Sequence, residues 1–194
     1  MSNIAPLPDK KYQIIYADPP WDYGNTKNPK SWWGRTEKHY ESLSLKDLKG
    51  IDIQSISDKD CYLFLWVTSP FLEKGFDLIK SWGFKYATVG FVWVKTKNTS
   101  DEVRGDGLGK YTLSNAEYCL IGRKGKYWRN SKKVRQICLH KKAKHSKKPD
   151  KIRDRIVELC GDIPRIELFA RDKFEGWDAW GNEVENTNIS AATL

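Results

Sequence analysis

Four cysteines, Cys61, Cys119, Cys138 and Cys160, lie far apart and form no C-x-x-C pair. That spacing offers no disulfide framework and no Cys-rich zinc site, and fits a reducing cytosol. Only three histidines occur, His39, His140 and His145, and they form no convincing metal triad. No apolar run is long enough to cross a bilayer. The first eight residues have neither the basic nor the apolar region of a secretory signal. There is no G-x-x-x-x-G-K-[ST], which argues against a P-loop nucleotidase. Gly105-Asp106-Gly107-Leu108-Gly109 resembles a dinucleotide fingerprint only loosely. Its third glycine falls one position early and no helix follows. Internal repeats and linkers are also missing, so the expectation is one domain over residues 1–185 with a loose polar tail over 186–194.

What the chain has in excess is aromatic side chains and positive charge. Aromatics make up 13% of it, with nine Trp, and the net charge is +9. The charge is unevenly placed. Residues 123–155 hold fifteen Lys and Arg against two Asp, or +13, so the remainder carries −4. A basic segment with interleaved Tyr127 and Trp128 on a mildly acidic body points to a polyanionic partner, nucleic acid before membrane. The alternative is a solvated basic surface.

Short apolar runs alternate with amphipathic ones, which predicts an α/β fold. Strands are expected at 12–17, 61–67, 84–93, 117–122 and 164–170. Helices are expected at 45–48, capped by Ser44, at 71–82 behind Ser69-Pro70, and at 150–160. Residues 22–38 and 95–113 read as long loops. In the first, Trp32-Trp33 either stack on a ligand or cover the sheet edge.

The first strand runs into Asp18-Pro19-Pro20-Trp21. Two prolines cannot donate to a ladder and they restrict the residue before them. The strand therefore stops there and delivers a carboxylate and a stiff turn to the C-terminal edge of the sheet, where open α/β folds bind ligands.

Asp-Pro-Pro-Trp is the catalytic motif of amino-group methyltransferases acting on adenine. Five segments downstream match one branch in order: His39-Tyr40 to Ser44, Leu63 to Thr68, Phe91 to Lys95, His145 to Pro149, and Arg165 to Arg171. Gly176 to Glu183 completes the series. Over about residues 10–185 the chain resembles the superfamily of the eukaryotic mRNA adenosine methyltransferase, and most closely its compact bacterial and bacteriophage DNA-modifying members. The resemblance implies a three-layer α/β/α Rossmann-like sandwich with permuted motif order and a mixed, mostly parallel sheet. It implies S-adenosylmethionine as cofactor and adenine in DNA as acceptor, with RNA as the alternative. A non-catalytic nucleic-acid-binding partner is a third reading, and a cytosine 4-amino enzyme is disfavoured because its motif begins with Ser. No membrane or metal is implied, and the protein is expected as a monomer or homodimer in the host or bacterial cytosol. Catalytic roles fall on Asp18, Pro19, Pro20 and Trp21, with Trp21 able to stack on the base. Cofactor contacts fall on Asp18, Lys148, Phe169, Arg171, Asn182 and Glu183. His39, Tyr40, Trp93 and Lys95 match the target side, although Tyr40, Trp93 and Lys95 could equally be core or edge packing.

Overall fold

In the computed structural model, residues 5–22, 42–104, 111–142, 147–182 and 184 are described. Seven strands form one sheet: β1 (Tyr12–Ala17), β2 (Ser57–Thr68), β3 (Lys85–Thr96), β4 (Ala116–Lys124), β5 (Ile137–Lys141), β6 (Arg165–Leu168) and β7 (Asp178–Trp180), in the spatial order β5-β3-β4-β2-β1-β6-β7. β4 runs antiparallel to both neighbours and every other pairing is parallel. The sheet is therefore mixed and mostly parallel, as expected.

Strand alternation divides the core into two layers. Ile15, Ala17, Leu63, Leu65 and Val67 face one way, onto α1 (Leu45–Lys49), α2 (Ile53–Ile56) and α3 (Leu72–Ser81). Ile14, Tyr16, Phe64 and Trp66 face the other way, onto α4 (Lys151–Cys160) through Ile152, Ile156 and Cys160. The result is an α/β/α sandwich. β2, α3 and β3 form a parallel crossover with β4 inserted between its two strands.

The cap signals divide. Ser44 Oγ accepts from the Asp47 amide at the start of α1, as expected. Pro70 sits in a 3-10 turn over Ser69–Phe71 that leads into α3, but Ser69 lies inside that turn, and neither the turn nor α3 has a side-chain cap hydrogen bond. The repeat Leu72, Phe76, Ile79 predicts the buried face of α3, and of these only Ile79 is fully buried. Phe76 is exposed and the buried residues are Gly75, Leu78 and Ile79. Gly75 is the cause: a Cβ there would come within 2.6 Å of Val67 Cγ1, so its absence lets the helix settle on β2. β3 reaches Thr96, past the expected end, and Thr96 bridges Val103. Part of the second expected loop is thus a hairpin. α2, β5 and β7 are 3–5 residues long, too short to leave a period in the sequence.

One buried ion pair clamps α4 to the sheet. Arg153 Nε and Nη2 donate to the two Glu167 oxygens at 2.6 and 2.7 Å, and the guanidinium lies 3.6 Å from the Phe174 ring centroid. Removing one member of such a pair strands the other charge in the core. Arg153→Ala is expected to cost about 3–5 kcal/mol in urea denaturation, and the double change Arg153→Met with Glu167→Leu to recover much of that.

Candidate active site

The C-terminal ends of β1, β2, β3, β6 and β7 meet at one edge of the sheet. Because β4 runs the other way, its first residues join them there, with Glu117 paired opposite Thr68. Beyond β1 the backbone turns at once. The Pro19 carbonyl accepts the Trp21 amide at 2.9 Å and the Pro20 carbonyl accepts the Leu43 amide at 2.9 Å. Trp21 pins the turn from beneath. Its indole is 7% exposed, donates from Nε1 to the Trp66 carbonyl at 3.1 Å, and stacks on Phe71. This corrects the reading of Trp21 as a platform for the base: the ring is part of the core and positions the turn.

Asp18 stands where the ladder ends, with 30% of its side chain open. Lys148, just ahead of α4, donates to Asp18 Oδ2 at 2.6 Å. The same ammonium lies 3.3 Å from Glu117 Oε2, and Glu117 Oε1 lies 2.6 Å from Lys95 Nζ. Four charges of alternating sign therefore run across the strand ends, Asp18–Lys148–Glu117–Lys95. Two indoles back the row, with Lys148 Nζ 5.5 Å from the Trp66 ring and Lys95 Nζ 5.1 Å from the Trp93 ring.

The row is half dry, and that governs its electrostatics. Glu117 and Lys148 side chains are 7% and 9% exposed. Burial alone would raise the Glu117 carboxyl, but Lys148 and Lys95 outweigh it and hold the group below its ordinary value. Burial alone would lower the Lys148 ammonium, but Asp18 and Glu117 outweigh it and hold the group above the ordinary lysine value. Both partners are thus kept charged at neutral pH. An ammonium has three hydrogens; two are directed to Asp18 and Glu117, and the third has no acceptor among the described residues.

The other predicted residues divide. Phe169, the residue after β6, sits beside Asp18 because Ala17 and Leu168 are register partners. It adopts φ 59, unusual for a non-glycine, and its ring meets Trp180 edge-on. The Ala170 amide donates to the Trp180 carbonyl at 3.0 Å. A Cβ on Gly181 would lie 2.5 Å from the Ala170 carbonyl oxygen, so glycine is what allows the β6 and β7 ends to close together. Arg171 and Asn182 follow these ends and are exposed. Lys95 belongs to the charged row. Trp93 does not line an open site: it is fully buried and donates from Nε1 to the His140 carbonyl, which resolves its reading in favour of core packing. His39, Tyr40, Trp32, Trp33 and Glu183 lie outside the described residues. No cluster of metal-binding side chains occurs among the described residues.

Glu117 was not singled out in the sequence. The only available signal was a carboxylate opening an apolar strand, and its meaning depends on β4 being antiparallel, a long-range fact.

Comparison with known proteins gives a consistent result. The MT-A70 family model matches residues 12–183. The Type II methyltransferase M.MunI of Mycoplasma sp is 39% identical over 203 residues, covering 96% of this chain and 84% of that protein. The N(6)-adenosine-methyltransferase catalytic subunit METTL3 of Homo sapiens is 28% identical over 186 residues, covering 92% of this chain and 29% of that protein. The N(6)-adenosine-methyltransferase MT-A70-like protein of Drosophila melanogaster is also 28% identical, with 28% of its length covered. The chain thus spans most of the bacterial relative and about a quarter of the eukaryotic ones.

The buried row makes a pH-dependent prediction. Glu117 has a lowered carboxyl pKa in the fold, so its stabilisation is present above the unfolded value of about 4.3 and is lost as pH falls through the folded value. Lys148, raised in the fold, stabilises below about 10.4 and loses this only as pH rises through its folded value. Glu117→Gln should therefore cost about 3 kcal/mol at pH 7, and the difference from wild type should shrink as both are brought to about pH 3. Urea denaturation at the two pH values checks this.

Proposed function

The chain belongs to the MT-A70 family, and from that premise we propose that it transfers a methyl group from S-adenosylmethionine to the 6-amino nitrogen of adenine in DNA. Methyltransferase activity and this cofactor are properties of the family; the choice of DNA, of adenine and of the residues below is our reading. The observation that carries it is Asp18, fixed at a strand end by Lys148 beside a carbonyl that its two prolines hold rigid.

The residue chemistry suits the acceptor. The adenine amino nitrogen is a poor nucleophile because its lone pair is delocalised into the ring. Asp18 and the Pro19 carbonyl present acceptors for its two hydrogens. The Pro19 oxygen already takes the Trp21 amide and has a second lone pair for the substrate. Acceptors in that arrangement favour the pyramidal nitrogen of the transition state over the flat ground state. Lys148 occupies Asp18 Oδ2, so the other carboxylate oxygen is the one turned to substrate. The amine becomes acidic only once methylated, and Asp18 is then positioned to hold its proton.

The residues at the β1, β6 and β7 ends also fit the cofactor. Phe169 offers an aromatic face, Asn182 can donate to and accept from hydroxyls, and Arg171 and the third Lys148 hydrogen offer positive charge to a carboxylate. The cofactor supplies an electrophilic methyl carried on a sulfonium. Holding it is assigned to Asp18, Lys148, Phe169, Arg171, Asn182 and Glu183. Contact with the target base is assigned to His39, Tyr40 and Lys95.

RNA is the second reading, favoured by the names of the eukaryotic relatives, which are N(6)-adenosine-methyltransferases. The site chemistry is common to both. The near-complete overlap with M.MunI in length and the +13 stretch support the compact DNA-acting form.

The test is methyl transfer from labelled S-adenosylmethionine to matched duplex DNA, single-stranded DNA and RNA, with the product nucleoside identified. Wild type should yield N6-methyladenine in DNA. Asp18→Ala should lower kcat at saturating cofactor by about 10²–10³-fold, the order of loss seen when one transition-state acceptor or donor is removed. Label in RNA alone would reassign the substrate, and full activity in Asp18→Ala would overturn the mechanism.

A further inference from the structure

Lys148 of the basic stretch joins the charged row, but the exposed charges of residues 126–135 lie away from the active site. β4 leaves the site edge at Glu117 and reaches the opposite edge of the sheet by Arg123 and Lys124. Residues 125–136 cross that far edge, and β5 then climbs back parallel to β3, ending at Lys141 beside the site edge. β5 is the outermost strand of the sheet. β5 itself carries one basic residue, Lys141, but Lys151 and Arg155 of α4 reach the Leu139 and Ile137 carbonyls beside it, and with residues 126–135 these charges form a ribbon from the site edge, down the side of the molecule, to the edge opposite.

The crossing is built rather than loose. Trp128 donates from Nε1 to the Cys160 carbonyl at the C-terminal end of α4, and its backbone exchanges hydrogen bonds with the Tyr62 hydroxyl at 2.8 and 3.1 Å. The Asn130 amide donates to the Leu159 carbonyl. Arg155 Nη1 donates to the Arg135 and Ile137 carbonyls, which braces the start of β5 and adds its own charge. Held in this way, Lys126, Arg129, Lys132, Lys133 and Arg135 are all exposed, as is Tyr127 at 65%. None of the five has a carboxylate partner among the described residues. Asp60 accepts the Lys126 backbone amide and Glu158 accepts the Ser131 hydroxyl, and neither forms an ion pair with the five among the described residues. Lys141 and Lys142 continue the exposed charge at the site end.

We propose that this ribbon is a phosphate-binding track, remote from the catalytic corner, along which nucleic acid leaving the site follows the β5 edge to the far side of the sheet. The five residues of β5 alone rise about 16 Å, close to five base-pair steps of duplex at about 3.4 Å each. The track reads no sequence. It supplies salt-dependent affinity and a fixed direction of approach, because phosphate contacts set register and orientation. The proposal rests on the nucleic-acid reading above, and the experiment separates the two.

The experiment measures binding of a duplex of about 30 base pairs by fluorescence anisotropy across a salt series. Wild type is compared with a variant carrying Lys126→Gln, Arg129→Gln, Lys132→Gln, Lys133→Gln and Arg135→Gln. A charge-matched control carries Lys10→Gln, Lys46→Gln, Lys49→Gln, Lys74→Gln and Lys80→Gln, away from β5. The ribbon variant should flatten the slope of log K against log salt by up to about 4.5, since each phosphate contact contributes about 0.9, while the control changes it little. Methyl transfer at saturating DNA should keep its kcat in both variants. A ribbon variant with the wild-type slope, or a control that loses as much, overturns the track while leaving the function intact. Wild type that shows no salt-dependent binding of DNA or RNA overturns the nucleic-acid reading itself.

Discussion

The site depends on the contact between Lys148 and Asp18, at 2.6 Å across 130 residues of sequence. It joins the turn after β1 to the segment that opens α4, and through Glu117 it reaches β4 and Lys95. No member is stable alone in that setting. Glu117 and Lys148 are buried enough that either charge without its partner would cost several kcal/mol. Together they fix the carboxylate on which the chemistry turns. Orientation of this kind is what a reaction gains from a rigid protein, since the acceptor need not reorganise as the transition state forms.

The rest of the fold serves that contact. The prolines end β1 where the carboxylate is needed, and Trp21 holds the turn from the core side through Trp66 and Phe71. The Arg153–Glu167 pair seats α4 against β6, and α4 in turn sets the position of Lys148 just before it. Trp66, whose ring faces the Lys148 ammonium, is itself anchored by donating to the Tyr16 hydroxyl at 2.7 Å. Catalytic geometry and core packing therefore use the same residues, and a change in one reaches the other.

Much of this was legible in the sequence because the signals were local. Asp18 and the prolines announce a strand end by backbone chemistry alone. The long strands and helices carry their own periods, and Lys148 and Phe169 sit in the short motifs His145 to Pro149 and Arg165 to Arg171. The illegible part was relational. Glu117 joins the site only because β4 is antiparallel. Trp21 read as able to stack on the base and Trp93 as either a target contact or core packing, and both indole N–H groups find backbone carbonyls; nothing in a linear sequence distinguishes a ring facing a ligand from one facing its own backbone. The basic stretch was visible as charge, while its path away from the site required the strand order.

The most direct measurement is the titration of Lys148, followed by the 13C shift of its ε carbon in selectively labelled protein. The ionic row requires this ammonium to stay protonated beyond the range of ordinary lysines, so its signal should hold steady through about pH 10.4 while exposed lysines titrate, and should move to lower pH in Glu117→Gln. A Lys148 that titrates with the exposed lysines or below them would contradict the account, because Asp18 and Glu117 would then not outweigh the burial of the ammonium and the row would not be the tightly coupled unit described.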